Sequence, residues 1–558
     1  MVEKILNLLN KEIGGLHEAA MLLGSAAVAS QILALIRDRL FASTFGASGT
    51  LDVYYASFRI PDFIFVSIAS FVSVTVLIPF LIDRINKGER EGKEFLNGVF
   101  TVFFFTITLV SIAAFFFVPK LTGVLFPGIV GVHRDELIML TKIMLLSPIL
   151  LGVSNLLGSI TQTAKKFLVY ALSPILYNVG IILGIIFLYP IFGISGLGYG
   201  VVLGAVFHVL IQVPSVARVG LLPWFSWKVK LSDIRDVVYL SLPRTLGLSM
   251  NHIALLALMS LASYMNEGSI AVFNFSLNLQ SVPLAIIGVS YSVAAFPTLA
   301  KLFSKNEHVK FIDNIVTAAR HIIFWSLPTL VLFIVLRAQI VRTILGSGEF
   351  SWSDTRLTAA ALALFSVSLI AQALILLFVR GYYAAGNTKT PLFINIFSSV
   401  LIIVSAYIFT TVFESNLYFK YFMESLLRVE DNPGSIVIML PFAYSVGMII
   451  NALVLFWFFK RDFKETPSFL RRSLMHSFLG AVTMGTVAYF FLGVFGEIFD
   501  LNTFLGIFFQ GLFAGIIGII AGVMILRLIK NREIEEIGKA LHSKFWKTRP
   551  IAPDKEEL

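Results

Sequence analysis

The chain has 558 residues, 57% hydrophobic and only 14% charged, with a mean hydropathy of +0.87, a composition that excludes a soluble globular domain and reads as an all-α integral membrane protein. It has no cysteine, which excludes disulfides, thiolate metal sites and a cysteine nucleophile. The formal charge of +10 reflects Lys- and Arg-rich cytoplasmic loops in a polytopic membrane protein more simply than it reflects nucleic-acid binding.

Residues 1–19 form an amphipathic segment with no small-residue cleavage site, expected to lie on the membrane surface. Apolar runs long enough to cross a bilayer then give about fourteen transmembrane helices. The first six are expected at 20–46, 52–82, 95–118, 136–161, 167–189 and 196–217, with the division at Pro190–Gly193 the least marked. Six more follow at 234–264, 269–300, 312–345, 357–385, 391–413 and 436–459, and a last pair at 473–495 and 502–528. Loops after even-numbered helices carry the basic residues, such as Arg84, Lys87, Arg90 and Lys93, or Lys460, Arg461 and Lys464. Loops after odd-numbered helices are poor in them, so both termini are expected in the cytoplasm. The loop 414–434 contains LYFKYFMESLLRV, which reads as a short helix on the outer surface, and the tail 529–558 reads as a cytoplasmic amphipathic helix facing anionic lipid.

An internal repeat emerges when the halves are overlaid. VTVLIPFL, with Pro79, parallels VAAFPTLA, with Pro297, and the turn QTAKKFLVYALSP parallels YAAGNTKTPLFIN. Two six-helix lobes, 20–217 and 218–460, related by a pseudo-twofold axis along the membrane normal, are therefore expected, with 461–528 as an added helix pair.

Charge is concentrated where a membrane helix should have none. The stretch QILALIRDRLFASTFGASGTLDVYYASFRIPDF carries Arg37, Asp38 and Arg39 in the first helix and Asp52, Arg59 and Asp62 in the second. Each charge at a helix centre costs about 2.5–3.5 kcal/mol on insertion scales, so a water-filled or protein-lined cavity is the expected reason. Arg39 and Asp62 read equally well as charges that snorkel to the surface. In the repeat-related helices, Arg244 and Asn251 share a face of the seventh helix, next to His252, and Asn274, Asn278 and Ser281 form a stripe on the eighth, with Gln280 off it. For any one amide, interhelical hydrogen bonding is the stronger reading. If helix 2 runs unbroken to Pro61, Asp52, Tyr55, Arg59 and Asp62 share one sector. Arginine in a cavity suits a phosphate, which its planar fork binds bidentately. Arg37, Arg59 and Arg244 would hold a diphosphate, with Asp38 and Asp52 orienting them or setting a gate. No P-loop, Ser/His/Asp spacing or metal-ligand spacing is found, so no catalytic residue, metal or cofactor is expected. The coupling ion, or a role for the membrane potential, is left open.

The run IRDRLFASTFGASGTLDVYYASFRIPDF, followed by VLIPFL, resembles the MurJ family of lipid II flippases, within the multidrug/oligosaccharidyl-lipid/polysaccharide exporter superfamily. The resemblance extends to LPRTLG at the start of helix 7 and to the two extra C-terminal helices. It implies a monomeric flippase of the bacterial cytoplasmic (inner) membrane that moves lipid II or a similar polyprenyl-diphosphate glycan by alternating access. A cationic cavity would take the head group, and the 461–528 pair would form a groove for the lipid tail. Arg37 and Asp38 match the family's Arg–Asp pair, Asp52 its acidic residue at the start of helix 2, and Arg59 a basic position. Gln31, Phe65 and Asn278 stand where many relatives carry arginine. These departures leave open an exporter of another polyprenyl-linked oligosaccharide; an integral-membrane glycosyl- or phosphotransferase and a drug–cation antiporter fit less well, for want of a metal-binding acidic motif and an acidic cavity respectively.

Overall fold

The computed structural model describes residues 16–69, 74–227, 229–463 and 469–536. Within its helices, the side chains of 16–20, 69, 74–76, 79, 240, 243, 244, 248 and 469–472 are also outside the description. Every regular element among the described residues is helical. Among the described residues, twelve helices are long and apolar enough to cross a membrane, or thirteen when the pair Trp352–Val367 and Leu369–Ala384, bent by 43°, counts as one span.

The first part of the chain runs through α1 (Leu16–Phe45), α2 (Gly49–Ser57), α3 (Arg59–Ala69), α4 (Val74–Lys87), α5 (Glu89–Leu125), α6 (Val132–Met144), α7 (Leu146–Thr163) and α8 (Phe167–Leu183). A π-helical turn at Gly184–Leu188 leads to α9 (Tyr189–Phe192), α10 (Ile194–Leu210) and α11 (Val213–Val219). The division expected at Pro190–Gly193 falls at Gly193, whose φ is +58°. The helix expected at 52–82 is interrupted at Phe58 rather than unbroken to Pro61. Proline has no N–H to give the carbonyl of Ser57, so the hydrogen-bond ladder lapses there.

Next come α12 (Leu231–Ala262), α13 (Ser269–Pro283), a second π-helical segment Leu284–Val289, α14 (Ser290–Ser304), α15 (His308–Val335) and α16 (Arg337–Leu345). The remainder is α17 (Trp352–Val367), α18 (Leu369–Ala384), α19 (Lys389–Ser415), α20 (Leu417–Leu427), α21 (Met439–Phe463), α22 (Phe469–Ile498) and α23 (Phe504–Leu528).

The chain divides into two compact units. The first comprises 1–282, 341–365 and 387–451, and the second 283–340, 366–386 and 452–558. In the first unit, an apolar core of Leu77, Leu81, Leu96, Val99, Ile107 and Ile160 binds α3, α4, α5 and α7. A close helix crossing in this unit joins α8 to α10, where a Cβ on Gly180 would lie 2.2 Å from the Cα of Gly204. Small residues let helix backbones touch, which lipid alone would not drive. In the second unit, α15 packs on α22 around Ile323, Leu327 and Ala481, and α22 pairs with α23 along its length. The chain leaving α23 folds back onto α15. Glu533, almost fully buried, lies 3.1 Å from Arg320 and accepts a hydrogen bond from Ser473 at 2.9 Å.

Candidate functional site

All the charged residues of α1 to α3 lie in the first unit, and most meet polar partners on other helices. On α1, the Arg37 guanidinium donates to Asp38 Oδ1 from Nε at 3.1 Å and from Nη2 at 2.8 Å, and to Asn178 Oδ1 on α8 from Nη1 at 3.0 Å. Asp38 is buried, and its second oxygen accepts from Asn278 Nδ2 on α13 at 3.0 Å. One ion pair is thus held between two amides. Asn178 had not been singled out from the sequence. It lies within a strongly apolar helix, and a lone asparagine there carries no pattern.

The stripe expected on α13 is used residue by residue. Asn274 accepts from Arg59 Nη2 at 2.6 Å, Asn278 donates to Asp38, and Ser281 accepts from Gln31 Nε2 at 3.4 Å. Positions 274, 278 and 281 are one helical turn apart, so a single face of α13 reads the polar residues of α1 and α3 in antiparallel order. Interhelical hydrogen bonding is therefore what these amides do. Arg59 is not fully spent, however. Its Nε is buried without a hydrogen-bond partner among the described residues, as are the Tyr55 hydroxyl one turn earlier and Gln280 Nε2. Buried donors with nothing to bind are costly, about 1–3 kcal/mol each, and mark places where water or a ligand group belongs.

Asp52 does not pair with an arginine. It is buried, and its carboxylate accepts from the backbone N–H of Gly268 at 2.7 Å and of Ala271 at 2.8 Å. It therefore caps α13 from a different helix, placing negative charge on the positive end of that helix's dipole. Arg39 points elsewhere as well, donating to the carbonyls of Thr343 at 2.7 Å and Ile344 at 3.2 Å. A guanidinium on the last carbonyls of α16 is the mirror-image use of the dipole. Around these two caps the backbones touch. Gly268 and Gly348 both have positive φ, and a Cβ would lie 2.1 Å from Ala47 O and from Ser43 O respectively. Only glycine fits at either position. The Glu349 N–H also donates to Ser43 O at 3.0 Å. The turn at 43–52, the turn at 263–271 and the segment 343–354 are tied together at one end of the unit.

The remaining candidates are dispersed. Asp62 is half-buried on α3 and Asn251 is exposed on α12. Gln280 is buried with its amide nitrogen unpaired, off the face that carries Asn274 and Asn278. The Arg244 side chain lies outside those described, so its expected place beside Arg37 and Arg59 has no geometry. Phe65, one of the positions where arginine was expected by resemblance, packs against the apolar core of α3, α5 and α7.

The model of the family described as "Lipid II flippase MurJ" matches residues 41–510. The chain belongs to the MurJ family. A probable lipid II flippase MurJ of Buchnera aphidicola subsp. Acyrthosiphon pisum is 30% identical over 67% of this chain and 74% of the relative. The lipid II flippase MurJ of Burkholderia cenocepacia is 23% identical over 71% of this chain and 78% of its own length. Among solved structures, the lipid II flippase MurJ in an inward closed conformation superposes with a TM-score of 0.73 at 22% identity, covering 92% of this chain and all of that one. An inward-facing multidrug transporter of the MATE family, also of the MOP superfamily, superposes with a TM-score of 0.64 at 18% identity, over 78% of this chain and 94% of that one. These two likenesses establish the MurJ-type fold and no more than the fold. The chain is a multi-pass membrane transporter of the MurJ family.

Proposed function

We propose that this chain carries lipid II from the cytoplasmic to the outer leaflet of the bacterial inner membrane. The match to the family over residues 41–510 carries this reading, and the polar cluster on α1, α3, α8 and α13 gives it a chemical basis. Arg37, Arg59 and Arg244 are the proposed ligands of the diphosphate. Asp38 and Asn278 position Arg37, Asn251 extends the polar wall, and Asp52 latches the outer gate. Gln31, Asp62 and Gln280 are secondary members of the site. Arg39 is assigned to the gate rather than to the substrate.

Binding and orientation fall to different groups in this scheme. Arg37 spends three donor directions on Asp38 and Asn178, so it is pre-organised, and a diphosphate competes with Asp38 for it. Arg59 keeps a buried, unpartnered Nε and is the readier donor. When Arg37 turns to a phosphate, Asp38 remains held by Asn278. The neutral amides keep both charges hydrogen-bonded without adding a second charge that would compete for the substrate.

The finer architecture belongs to the same proposal: fourteen spans with both termini cytoplasmic, two six-helix lobes (20–217 and 218–460) about a pseudo-twofold axis, and the pair within 461–528 as a groove for the lipid tail. The chain works as a monomer. Local geometry in the two turns paired by the repeat supports the symmetry. Lys165 and Gly386 are both left-handed, with φ of +57° and +74°. Rocking of the lobes would open the outer gate, where Asp52, Gly268 and Gly348 meet, and close the cytoplasmic side.

The test is whether the chain restores growth when a host's resident lipid II flippase is depleted, with lipid II binding followed by native mass spectrometry. Failure of both in a folded, membrane-inserted protein overturns the reading. Gln31, Phe65 and Asn278, uncharged where relatives carry arginine, favour one alternative: a different polyprenyl-diphosphate glycan. Preferential retention of such a glycan over lipid II in the same measurement would select it.

A further inference from the structure

The helix α20 is built inside out. Asn416 alone separates it from α19, and the Asn416 side chain caps it by accepting from the Phe419 N–H at 3.0 Å. Arg428, left-handed at φ +60°, ends it. Met423, Glu424 and Leu427 face the protein and are buried. Glu424 is 5% exposed and accepts from the Ser435 hydroxyl at 2.5 Å. The opposite sector presents Leu417, Tyr418, Tyr421, Phe422 and Leu426 to the outside, with Tyr418 88% and Phe422 60% exposed. Ser425 is the one polar residue in that sector, and it carries no charge. A helix at a protein–water boundary has the reverse arrangement, with its carboxylate out and its aromatic rings in.

The helix is also held firmly in this orientation. Phe419 packs edge-on against Phe413 of α19 at 6.5 Å. The chain beyond it is tied to α17, where Arg356 donates to Arg428 O at 2.9 and 3.0 Å and to Glu430 O at 3.1 Å, and Ser353 donates to Asn432. The exposed rings are therefore a fixed surface and not the loose side of a mobile loop.

We infer that α20 is an interfacial anchor: its aromatic face lies in the boundary between head groups and acyl chains, at the membrane surface where α19 ends. Continuity selects lipid as the occupant. On α19, Phe397, Val400, Val404, Tyr407 and Ile408 form an exposed apolar stripe at three- and four-residue spacing, which is the lipid-facing side of a spanning helix. Beyond Ile408 the exposed side of α19 turns polar at Thr411, Glu414 and Ser415, as a spanning helix does on entering the head groups, and the exposed face of α20 begins one residue later, after Asn416. Tyrosine suits the boundary because its ring is apolar and its hydroxyl reaches water. The absence of charge on the face suits acyl chains better than it suits a polar protein surface. The consequence is mechanical. The outer ends of α19 and α21 are fixed to the membrane plane, so a moving helix elsewhere has a stationary reference.

The inference rests on the chain being a membrane protein and not on lipid II as its substrate, so the two fail separately. The natural chain is free of cysteine, which allows single spin labels at Tyr418→Cys, Phe422→Cys and Ser425→Cys, the last of which removes no aromatic ring. Val404→Cys reports the lipid-facing stripe and Glu430→Cys the aqueous loop. Each is reconstituted in vesicles of phosphatidylethanolamine with a minority of phosphatidylglycerol. Power saturation then compares collisions with oxygen, which partitions into lipid, against a nickel chelate, which stays in water. Labels at 418, 422 and 425 should favour oxygen, as at 404, while 430 favours the chelate. If the three follow 430, the face meets water, or awaits a protein partner that the vesicles lack, and the anchor is refuted.

Discussion

Replacing Asp52 by asparagine isolates the energetics of the proposed outer gate. The carboxylate accepts two backbone N–H groups at the start of α13, from Gly268 at 2.7 Å and Ala271 at 2.8 Å, and is only 7% exposed. Asparagine offers a single carbonyl oxygen, so one N–H faces the amide NH₂ and goes unpaired. Losing one charge-assisted hydrogen bond costs about 1.5–3 kcal/mol, and losing the charge at the helix N-terminus about 0.3–1 kcal/mol more. The sum, roughly 2–4 kcal/mol, moves the closed-to-open ratio about 30- to 1000-fold at 1.4 kcal/mol per decade. The assay uses spin labels at Ser48→Cys and Asn266→Cys, whose separation is read by double electron–electron resonance in lipid. The parent should give one short distance. Asp52→Asn should add a long-distance population or, if no open state is accessible, lower the thermal midpoint instead. An unchanged distance distribution together with an unchanged midpoint would show that the cap contributes nothing to closure.

Arg59→Ala should weaken lipid II binding by about 1.5–3 kcal/mol in native mass spectrometry, and Arg59→Lys should restore only part of it, because a point charge lacks the fork. Arg39→Ala is the internal control: with its guanidinium on Thr343 O and Ile344 O, its loss should leave binding unchanged and loosen the gate distance. Asn278→Arg, which places arginine where the resemblance implies one, should strengthen diphosphate binding by releasing Arg37 from Asp38; weaker binding in a folded protein would contradict the proposed roles. In the second unit, Glu533→Gln should destabilise the fold by about 1.5–3 kcal/mol, the worth of a charge-assisted hydrogen bond, since the buried Arg320 keeps Glu536 at 3.4 Å, read as a lowered midpoint in detergent. For topology, cysteines replacing Ser48, Asn266 and Ser415 should react with an impermeant thiol reagent in intact cells, and those replacing Lys87 and Lys305 should not; the opposite pattern reverses the orientation.

Hydropathy made the long spans legible, because twenty apolar residues have no other stable use. Helix 2 was harder to read. Its apolar run looks continuous, but Pro61 withholds one N–H and the helix lapses at Phe58, a local backbone effect that hydropathy does not register. The stripe Asn274, Asn278 and Ser281 was visible as a period, and its partners were guessable, since charges on α1 and α3 must bond to something. Asp52 was visible as a cost but not as a cap. A cap from another helix depends on where two turns meet, and no spacing within either turn encodes that. Asn178 was invisible for the same reason, as a single amide in an apolar run. Inverted amphipathicity in α20 was hidden because Glu424 and Lys420 look like the solvent side of an ordinary surface helix until burial shows which way they face.

The charges of α1 to α3 explain why an Arg-rich segment in a membrane does not amount to a standing anion trap. Arg37 is cancelled by Asp38, Asp52 is spent on the α13 dipole, and Arg39 on the α16 carbonyls. Of the arginines whose side chains are described there, Arg59 alone combines a neutral hydrogen-bond partner with a buried donor left over. On the proposed reading, a site so balanced should bind anions weakly until one arrives that can do two things at once: satisfy Arg59 and outbid Asp38 for Arg37. Under the proposed function a diphosphate is that ligand, because it offers two phosphoryl groups, one for each guanidinium fork, whereas a single chloride or carboxylate offers one. On that reading selectivity comes from the pairing already inside the protein, and Asn278, which holds Asp38, sets how hard Asp38 must be outbid.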